Sequence, residues 1–184
     1  VWTAPIAQHA SAMRPVTSGT QTIESVDVSP DGKWLVYDSN INGNQDIYKV
    51  QLGGGEPVQL THNGADNFYA RWSPDGKEIS FHSLVNGNRD VFVMNASGGN
   101  LTQVTTGKRE ELAPVWIAKG QGLVFQVYPD SAYTIVRSGG HWGVPHFLNR
   151  AHLAVSDGNR VYLGVDSSVI CPECKAGLYA FESD

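Results

Sequence analysis

The chain has 184 residues, of which 41% are apolar and 17% charged, and its 18 acidic and 13 basic side chains give a formal charge of −5. This balance is ordinary for a globular protein, and the scattered bases argue against a nucleic-acid partner. No apolar run reaches the roughly 18 residues of a membrane-spanning helix, while 20 glycines and 9 prolines favour short strands joined by tight turns.

The predicted elements begin with two strand-like stretches, VWTAPI and MRPVTS, within residues 1–20. A segment that repeats with a period of 44 residues follows them. The motif SPDGK at 29–33 returns at 73–77, and the motif NGN at 42–44 returns at 86–88. A fixed period of this size predicts a fold of stacked repeats, in which each unit buries its faces against its neighbours.

Each copy contains the turns and alternating stretches of four short antiparallel strands. Proline presets the φ angle of the SPDG turn, and the glycine accepts the positive φ that closes the reversal. Apolar positions then alternate along a strand, as Leu35 and Tyr37 do, and the NG pair forms a second hairpin. A third strand, a glycine-rich turn and a fourth strand complete the unit. Four such strands in about 40 residues make one blade of a β-propeller.

Further along the chain the pattern weakens but remains readable. Trp116 lies 44 residues after Trp72, and PVWIAKGQGLVFQV aligns with the second copy as a third, degenerate blade. LAVSDGNRVYLGV begins a fourth blade, which ends after the strand GLYAF. We therefore predict an all-β fold with about four blades of a larger ring. Its units are outer strands of a preceding or closing blade at 1–20, blades at 22–61 and 66–105, a degenerate blade at 110–149 and an incomplete blade at 150–184.

The order of the motifs resembles that of a known repeat family. WSPDGK, an alternating strand, NGN, D-I-Y or D-V-F, GG and LT are typical of TolB-type β-propeller repeats, and the resemblance is clear over residues 22–107 and weaker over 110–140 and 150–184. It implies a ring of roughly six to eight blades. Such rings are interaction platforms in the bacterial envelope, sensor domains on regulators, or gating domains in front of peptidases. Fold alone does not choose among these functions.

The candidate binding residues are those that do not repeat between copies. Loops before each first strand and loops between the second and third strands emerge at the same end of a blade, because antiparallel strands alternate in direction. Polar and aromatic side chains gathered there could form a binding mouth, and solvated loop ends are the alternative interpretation. Aspartates that recur with the period, such as Asp31 and Asp75, instead predict turn caps. The candidates are Asp66, Asn67, Tyr69, Arg71, Glu110, Glu111 and His152.

Cys171 and Cys174 form a single CxxC pair in the predicted fourth blade. A local disulfide or inert thiols is the favoured interpretation. Half of a zinc site, completed by His141, His146 or His152, and redox chemistry are the alternatives. The sequence carries no hydrolase, metalloprotease, phosphate-binding or kinase motif. We therefore predict neither a catalytic residue nor a cofactor.

The sequence thus predicts a noncatalytic TolB-type module that binds a protein partner or a small ligand through its loop face and central channel. Two enzymatic alternatives stay open, namely the accessory propeller of a serine peptidase and a metal-dependent propeller that acts on carbohydrate. The likeness to envelope propellers implies the periplasm or the cell exterior. Because a partial ring leaves strand edges unpaired, we also expect self-association.

Overall fold

A computed structural model shows a chain built almost entirely from antiparallel strands. It describes residues 2–3, 14–85, 87–117, 120–129, 131–149, 153–156, 160–165 and 177–182. Within these ranges there is no helix of the length and apolarity that crossing a bilayer demands.

The first two blades follow the same plan. Two short strands, β1 (Trp2–Thr3) and β2 (Arg14–Pro15), pair with each other ahead of them. The first blade then consists, in chain order across the sheet, of β3 (Val26–Val28), β4 (Trp34–Ser39), β5 (Asp46–Gln51) and β6 (Val58–Gln59). The second blade consists of β7 (Asn67–Trp72), β8 (Glu78–Val85), β9 (Asn88–Asn95) and β10 (Thr102–Gln103).

The third blade departs from this plan at its outer strands, and three strands of the fourth blade are described. The third blade contains β11 (Glu111–Ile117), β12 (Gly122–Val127) and β13 (Ser131–Ser138), and β13 pairs with both β14 (His141–Trp142) and β15 (His146–Asn149). The described strands of the fourth blade are β16 (Leu153–Ser156), β17 (Arg160–Val165) and β18 (Gly177–Glu182). The predicted fold class, an all-β propeller of antiparallel blades, is confirmed.

The SPDG turns form as the sequence predicts. Asp31 Oδ1 accepts hydrogen bonds from the Ser29 hydroxyl at 2.6 Å and from a backbone N–H two residues further on at 3.1 Å. Asp75 accepts the same two bonds at 2.7 and 3.1 Å. Gly32 and Gly76 have φ angles of 68° and 71°, which residues with a Cβ atom rarely adopt. The recurring aspartates of this turn are therefore caps, and the Ser29 hydroxyl bond lowers the pKa of Asp31.

The core lies between the blades, because side chains on a strand alternate between its two neighbours. On β9, Phe92 and Met94 pack against the first blade, whereas Val91 and Val93 pack against the third. Trp72 and Trp116 are 8% and 4% exposed within these two cores. Both tryptophans therefore pack between blades.

The first strands of successive blades lie side by side, β3 next to β7, β7 next to β11 and β11 next to β16. The blades are thus arranged around a common axis, as in a propeller. We call the surface formed by β3, β7 and β11 the axial surface.

Candidate functional site

Asp66 and Asn67 join two blades. We call such a contact a seam: the loop before the first strand of one blade meets the hairpin between the second and third strands of the preceding blade. At the first seam the Asn67 backbone N–H donates to the Gln45 carbonyl at 2.6 Å. The Gln45 N–H in turn donates to Asp66 Oδ1 at 2.9 Å. One carboxylate oxygen of Asp66 is therefore already hydrogen-bonded across the contact between blades.

The Asn67 side chain is fully buried at this seam. Its amide nitrogen lies 2.9 Å from Asn63 Oδ1, 2.7 Å from the Ala65 carbonyl and 3.2 Å from Asp46 Oδ1. A buried amide with its donors satisfied stabilises the packing. Asn67 has no surface left for a ligand.

Glu110 and Glu111 occupy the second seam, between the second and third blades. Glu110 is half-buried, and its Oε2 accepts from Arg89 Nη1 at 2.8 Å. Glu111 is 7% exposed, and its carboxyl lies beside that of Asp90. Burial is the main cause that raises the pKa of Glu111, and the neighbouring Asp90 raises it further. These two candidates are seam residues, one paired at the surface and one enclosed.

Tyr69 and Arg71 have a different environment, on the axial surface. Tyr69 is 37% exposed and lies at a bulge of β7, where its φ angle is 58°. The Arg71 guanidinium lies 6.0 Å from the centre of the Tyr69 ring and donates to the Ala70 carbonyl at 2.9 Å. Among the described residues, no carboxylate forms an ion pair with Arg71. This cation and ring are available to a partner.

The axial surface changes from blade to blade at these two positions. One period before Tyr69 and Arg71 stand Ser25 and Asp27, and one period after them stand Ala113 and Val115. The Asp27 carboxylate accepts the Trp72 backbone N–H at 2.8 Å. Burial raises the pKa of Asp27, and the nearby Arg71 opposes that rise. The Tyr69–Arg71 pair therefore occurs in the second blade and in neither neighbour.

His82 is a residue that the sequence analysis did not select. It is 4% exposed, and its ring stacks against those of Phe68 and Tyr69, each with a centroid 5.5 Å away. Its Nδ1 accepts the backbone N–H of Ala113 at 3.3 Å. Burial is the main cause that lowers the pKa of His82 from 6.5 to about 3. His82 is thus a neutral spacer beneath Tyr69, enclosed and poorly placed for acid–base chemistry.

A cleft of about 480 Å³ opens between the first two blades at the opposite end of the strands. Trp34, Lys49 and Trp72 line it together with the two SPDG turns. Lys49 Nζ donates to the Ala96 carbonyl at 2.7 Å and lies 4.9 Å from the centre of the Trp34 ring. The ammonium is thereby engaged in holding the two blades together.

The remaining predicted residues are placed as follows. His152, Cys171 and Cys174 lie outside the described residues. His141 and His146 are described and exposed. Over the described ranges, no three His, Cys, Asp or Glu side chains are grouped as metal ligands.

Comparison with known proteins identifies the repeat. A family model for the TolB beta propeller domain matches residues 6–150. No curated protein matches the chain. A solved structure from Agrobacterium tumefaciens, assigned as a TolB, is similar with 23% identity and a TM-score of 0.64, and the match covers 76% of this chain and 53% of that one.

Two further solved structures have the same fold. TolB from Acinetobacter baumannii is 21% identical with a TM-score of 0.63, over 84% of this chain and 43% of that one. A puromycin-hydrolyzing peptidase from Mycobacterium tuberculosis is 15% identical with a TM-score of 0.65, over 96% of this chain and 29% of that one. The chain thus spans about half the length of the TolB structures that it matches. At these identities the likeness shows the fold alone.

Proposed function

The chain belongs to the TolB beta propeller domain family, and from this premise we propose that it is a noncatalytic module that binds a protein partner. The axial surface and the adjoining loop face make the contact. One observation carries the proposal: on an axial surface that differs from blade to blade, Tyr69 and Arg71 present an exposed ring and a guanidinium that lacks a described carboxylate partner.

The chemistry of the pair indicates what it binds. Tyrosine and arginine are enriched among the residues that dominate protein interfaces, because they combine apolar area with directed hydrogen bonds. A guanidinium presents a planar fork of donors that matches a carboxylate. We therefore propose that the partner contributes an acidic side chain or a C-terminal carboxylate at Arg71, with an apolar group against Tyr69.

The rigid support beneath the pair favours binding with little rearrangement. The Tyr69 ring rests on the buried His82 ring at 5.5 Å, and the Tyr69 N–H donates to Asp38 Oδ2 at 3.1 Å. A side chain held by stacking and a backbone held by a hydrogen bond lose little freedom on binding.

Selection of random displayed peptides on the purified protein tests the proposal. We expect the recovered peptides to carry acidic residues or a free C-terminal carboxylate. They should bind Arg71→Gln about tenfold more weakly or worse, since a hydrogen bond to a charged group contributes about 1.5–3 kcal/mol. Arg109→Gln, with the same charge change on an exposed loop residue, is the matched control.

Peptides that bind Arg71→Gln and Tyr69→Ala as tightly as the parent would place the contact elsewhere. Thermal melts of both variants establish that each is folded before its affinity is measured. We also propose, on the likeness to TolB alone, that the module works in the periplasm or outside the cell, which fractionation of the native host checks.

A second candidate function is that of an accessory propeller in a peptidase. The match to the Mycobacterium tuberculosis peptidase, over 96% of this chain, favours it. The coding sequence of the native protein decides between the two. A downstream α/β domain with a G-x-S-x-G nucleophile elbow would support the peptidase.

A further inference from the structure

A cage of oxygen atoms surrounds one amide group at the first seam. The nitrogen of the Asn67 side chain lies 2.7 to 3.4 Å from five oxygen atoms. An N–H₂ group is a donor, so every contact in this cage joins a donor to an acceptor. The five acceptors are the carbonyls of Gln45 and Ala65 and the side chains of Asp46, Thr61 and Asn63.

The second seam repeats this frame. Thr105 Oγ1 accepts the Val91 N–H at 2.9 Å, as Thr61 accepts the Ile47 N–H at 2.9 Å. The loops that connect each threonine to the next first strand have equal length, since residues 61–67 correspond to 105–111. The Thr105 hydroxyl also lies 3.3 Å from Asp90 Oδ1. Two oxygen positions of the first cage, those of Asp46 and Thr61, thus recur one period later at Asp90 and Thr105.

The central group of the second cage has the opposite hydrogen-bonding character. Glu111 stands where Asn67 stands in the first cage, so an acceptor replaces the donor. Gly107 replaces Asn63, and a Cβ atom at Gly107 would overlap the Glu111 carboxylate. The glycine therefore leaves room for the Glu111 side chain, which points into the cage.

The result is a buried pair of acids with an unsatisfied oxygen. Asp90 is 6% exposed and Glu111 is 7% exposed. Glu111 Oε2 is buried and has no hydrogen-bond partner among the described residues. A buried carboxylate oxygen without a partner is costly, and either a proton shared with Asp90 or a bound cation would relieve that cost.

The nearby basic side chains do not fill this role. Arg89 is paired with Glu110 at the surface, at 2.8 Å. Lys108 and Arg109, in the loop before Glu111, are exposed to solvent.

We propose that the second seam cage, formed by Asp90, Thr105 and Glu111, binds a hard divalent cation of the Ca²⁺ type. Ca²⁺ takes carboxylate, hydroxyl and carbonyl oxygens in flexible arrangements of six to eight ligands. The two carboxylates supply the charge, and the threonine hydroxyl and loop carbonyls supply neutral oxygens. Because Asp90 lies on β9 and Glu111 on β11, the ion would tie the second blade to the third. This site is independent of the partner surface at Tyr69 and Arg71.

Calorimetric titration of chelator-treated protein with CaCl₂ at neutral pH tests the site, together with thermal melts in Ca²⁺ and in chelator. We expect one Ca²⁺ per chain and a higher melting temperature in Ca²⁺. Glu111→Gln and Asp90→Asn should each weaken binding by about tenfold or more, because each removes a charged ligand. Glu110→Gln, which removes the adjacent carboxylate that pairs with Arg89, should bind Ca²⁺ as the parent does.

Two results would overturn the proposal. Parent protein that neither binds Ca²⁺ nor melts higher in its presence would mean that the acids share a proton instead. Ca²⁺ binding that survives unchanged in Glu111→Gln and Asp90→Asn would place the ion outside the cage. Since the parent is measured directly, the first result does not depend on any variant folding.

Discussion

At one repeated position the same backbone bond is made by different side chains. Asp38 Oδ2 accepts the Tyr69 N–H, and one period later His82 Nδ1 accepts the Ala113 N–H. Both bonds span 31 residues and satisfy an N–H group at a bulge with positive φ, 58° at Tyr69 and 51° at Ala113. The position requires an acceptor, and a neutral imidazole meets that need as a carboxylate does.

His82 is expected to make the protein less stable as the pH falls, because burial disfavours the protonated imidazole. The folded protein lowers its pKa from 6.5 to about 3, so the unfolded chain takes up a proton that the folded one excludes. Stability from this group is therefore complete above pH 6.5 and falls as the pH drops toward 3. Between pH 7 and pH 5 the expected loss is about 2 kcal/mol.

Urea unfolding at pH 7 and pH 5 measures this loss of stability in the parent protein and in two variants. His82→Gln keeps a side-chain acceptor for Ala113 and should remove most of the loss; glutamine is the residue at the same position in the third blade, Gln126. His62→Gln, at an exposed residue, should leave the loss as it is. An unchanged pH slope in His82→Gln would contradict the assignment.

At the scale of elements, one indole hydrogen bond fastens the first strand of the third blade to that of the second. The Trp116 indole N–H donates to the Arg71 carbonyl at 3.1 Å, which ties β11 to β7. Trp72 stands one period earlier, yet its indole nitrogen is buried without a partner among the described residues. Two tryptophans in equivalent packing thus differ by one hydrogen bond.

This difference predicts unequal effects of the same substitution. Trp116→Phe loses ring volume and a hydrogen bond, whereas Trp72→Phe loses ring volume and an unsatisfied buried donor. We expect Trp116→Phe to lower the free energy of unfolding by about 1–2 kcal/mol more than Trp72→Phe. Urea denaturation of the two variants side by side measures the gap. Equal losses, or a larger loss for Trp72→Phe, would refute the role given to this bond.

At the scale of the whole molecule, the blades form a series in which each one packs against its neighbours. One face of the first blade carries a cluster of Leu35, Tyr37, Tyr48 and Val50, which Val16, Ile23 and Leu52 cover. In the fourth blade, β18 pairs with β17 and with no other strand of the described ranges. One edge of β18 therefore has no strand of the described ranges beside it.

Such an edge predicts self-association of this chain. Backbone groups of an unpaired strand pair readily with the edge of another copy. We expect the weight-average mass measured by light scattering to rise with protein concentration. A constant monomer mass across the concentration range would show that the edge is covered.

Much of the blade architecture could be predicted from the sequence, because its causes are local. The SPDG turn depends on a proline, a capping aspartate and a glycine within a few residues, and strand alternation depends on neighbouring positions. These signals placed the strands of the first two blades. The burial of Trp72 and Trp116 could also be predicted, since a blade must cover its faces with its neighbours.

The candidate site was harder to predict from the sequence. Asp66, Asn67, Glu110 and Glu111 are polar loop residues, and polar loop residues are usually exposed. The structure encloses Asn67 and Glu111, because the loop before each first strand folds onto the hairpin of the preceding blade. His82 carried a signal in the repeat itself, as it replaces the aspartate found one period earlier.

By itself the sequence determined the repeat, its turns and the alternation of its strands, since these arise from residues close together in the chain. The tertiary structure alone decided which polar groups are enclosed at a seam and which stay exposed on the axial surface. The physical reason is that the burial of a polar side chain depends on the neighbouring blade, whose contacting residues lie 21 to 45 positions away.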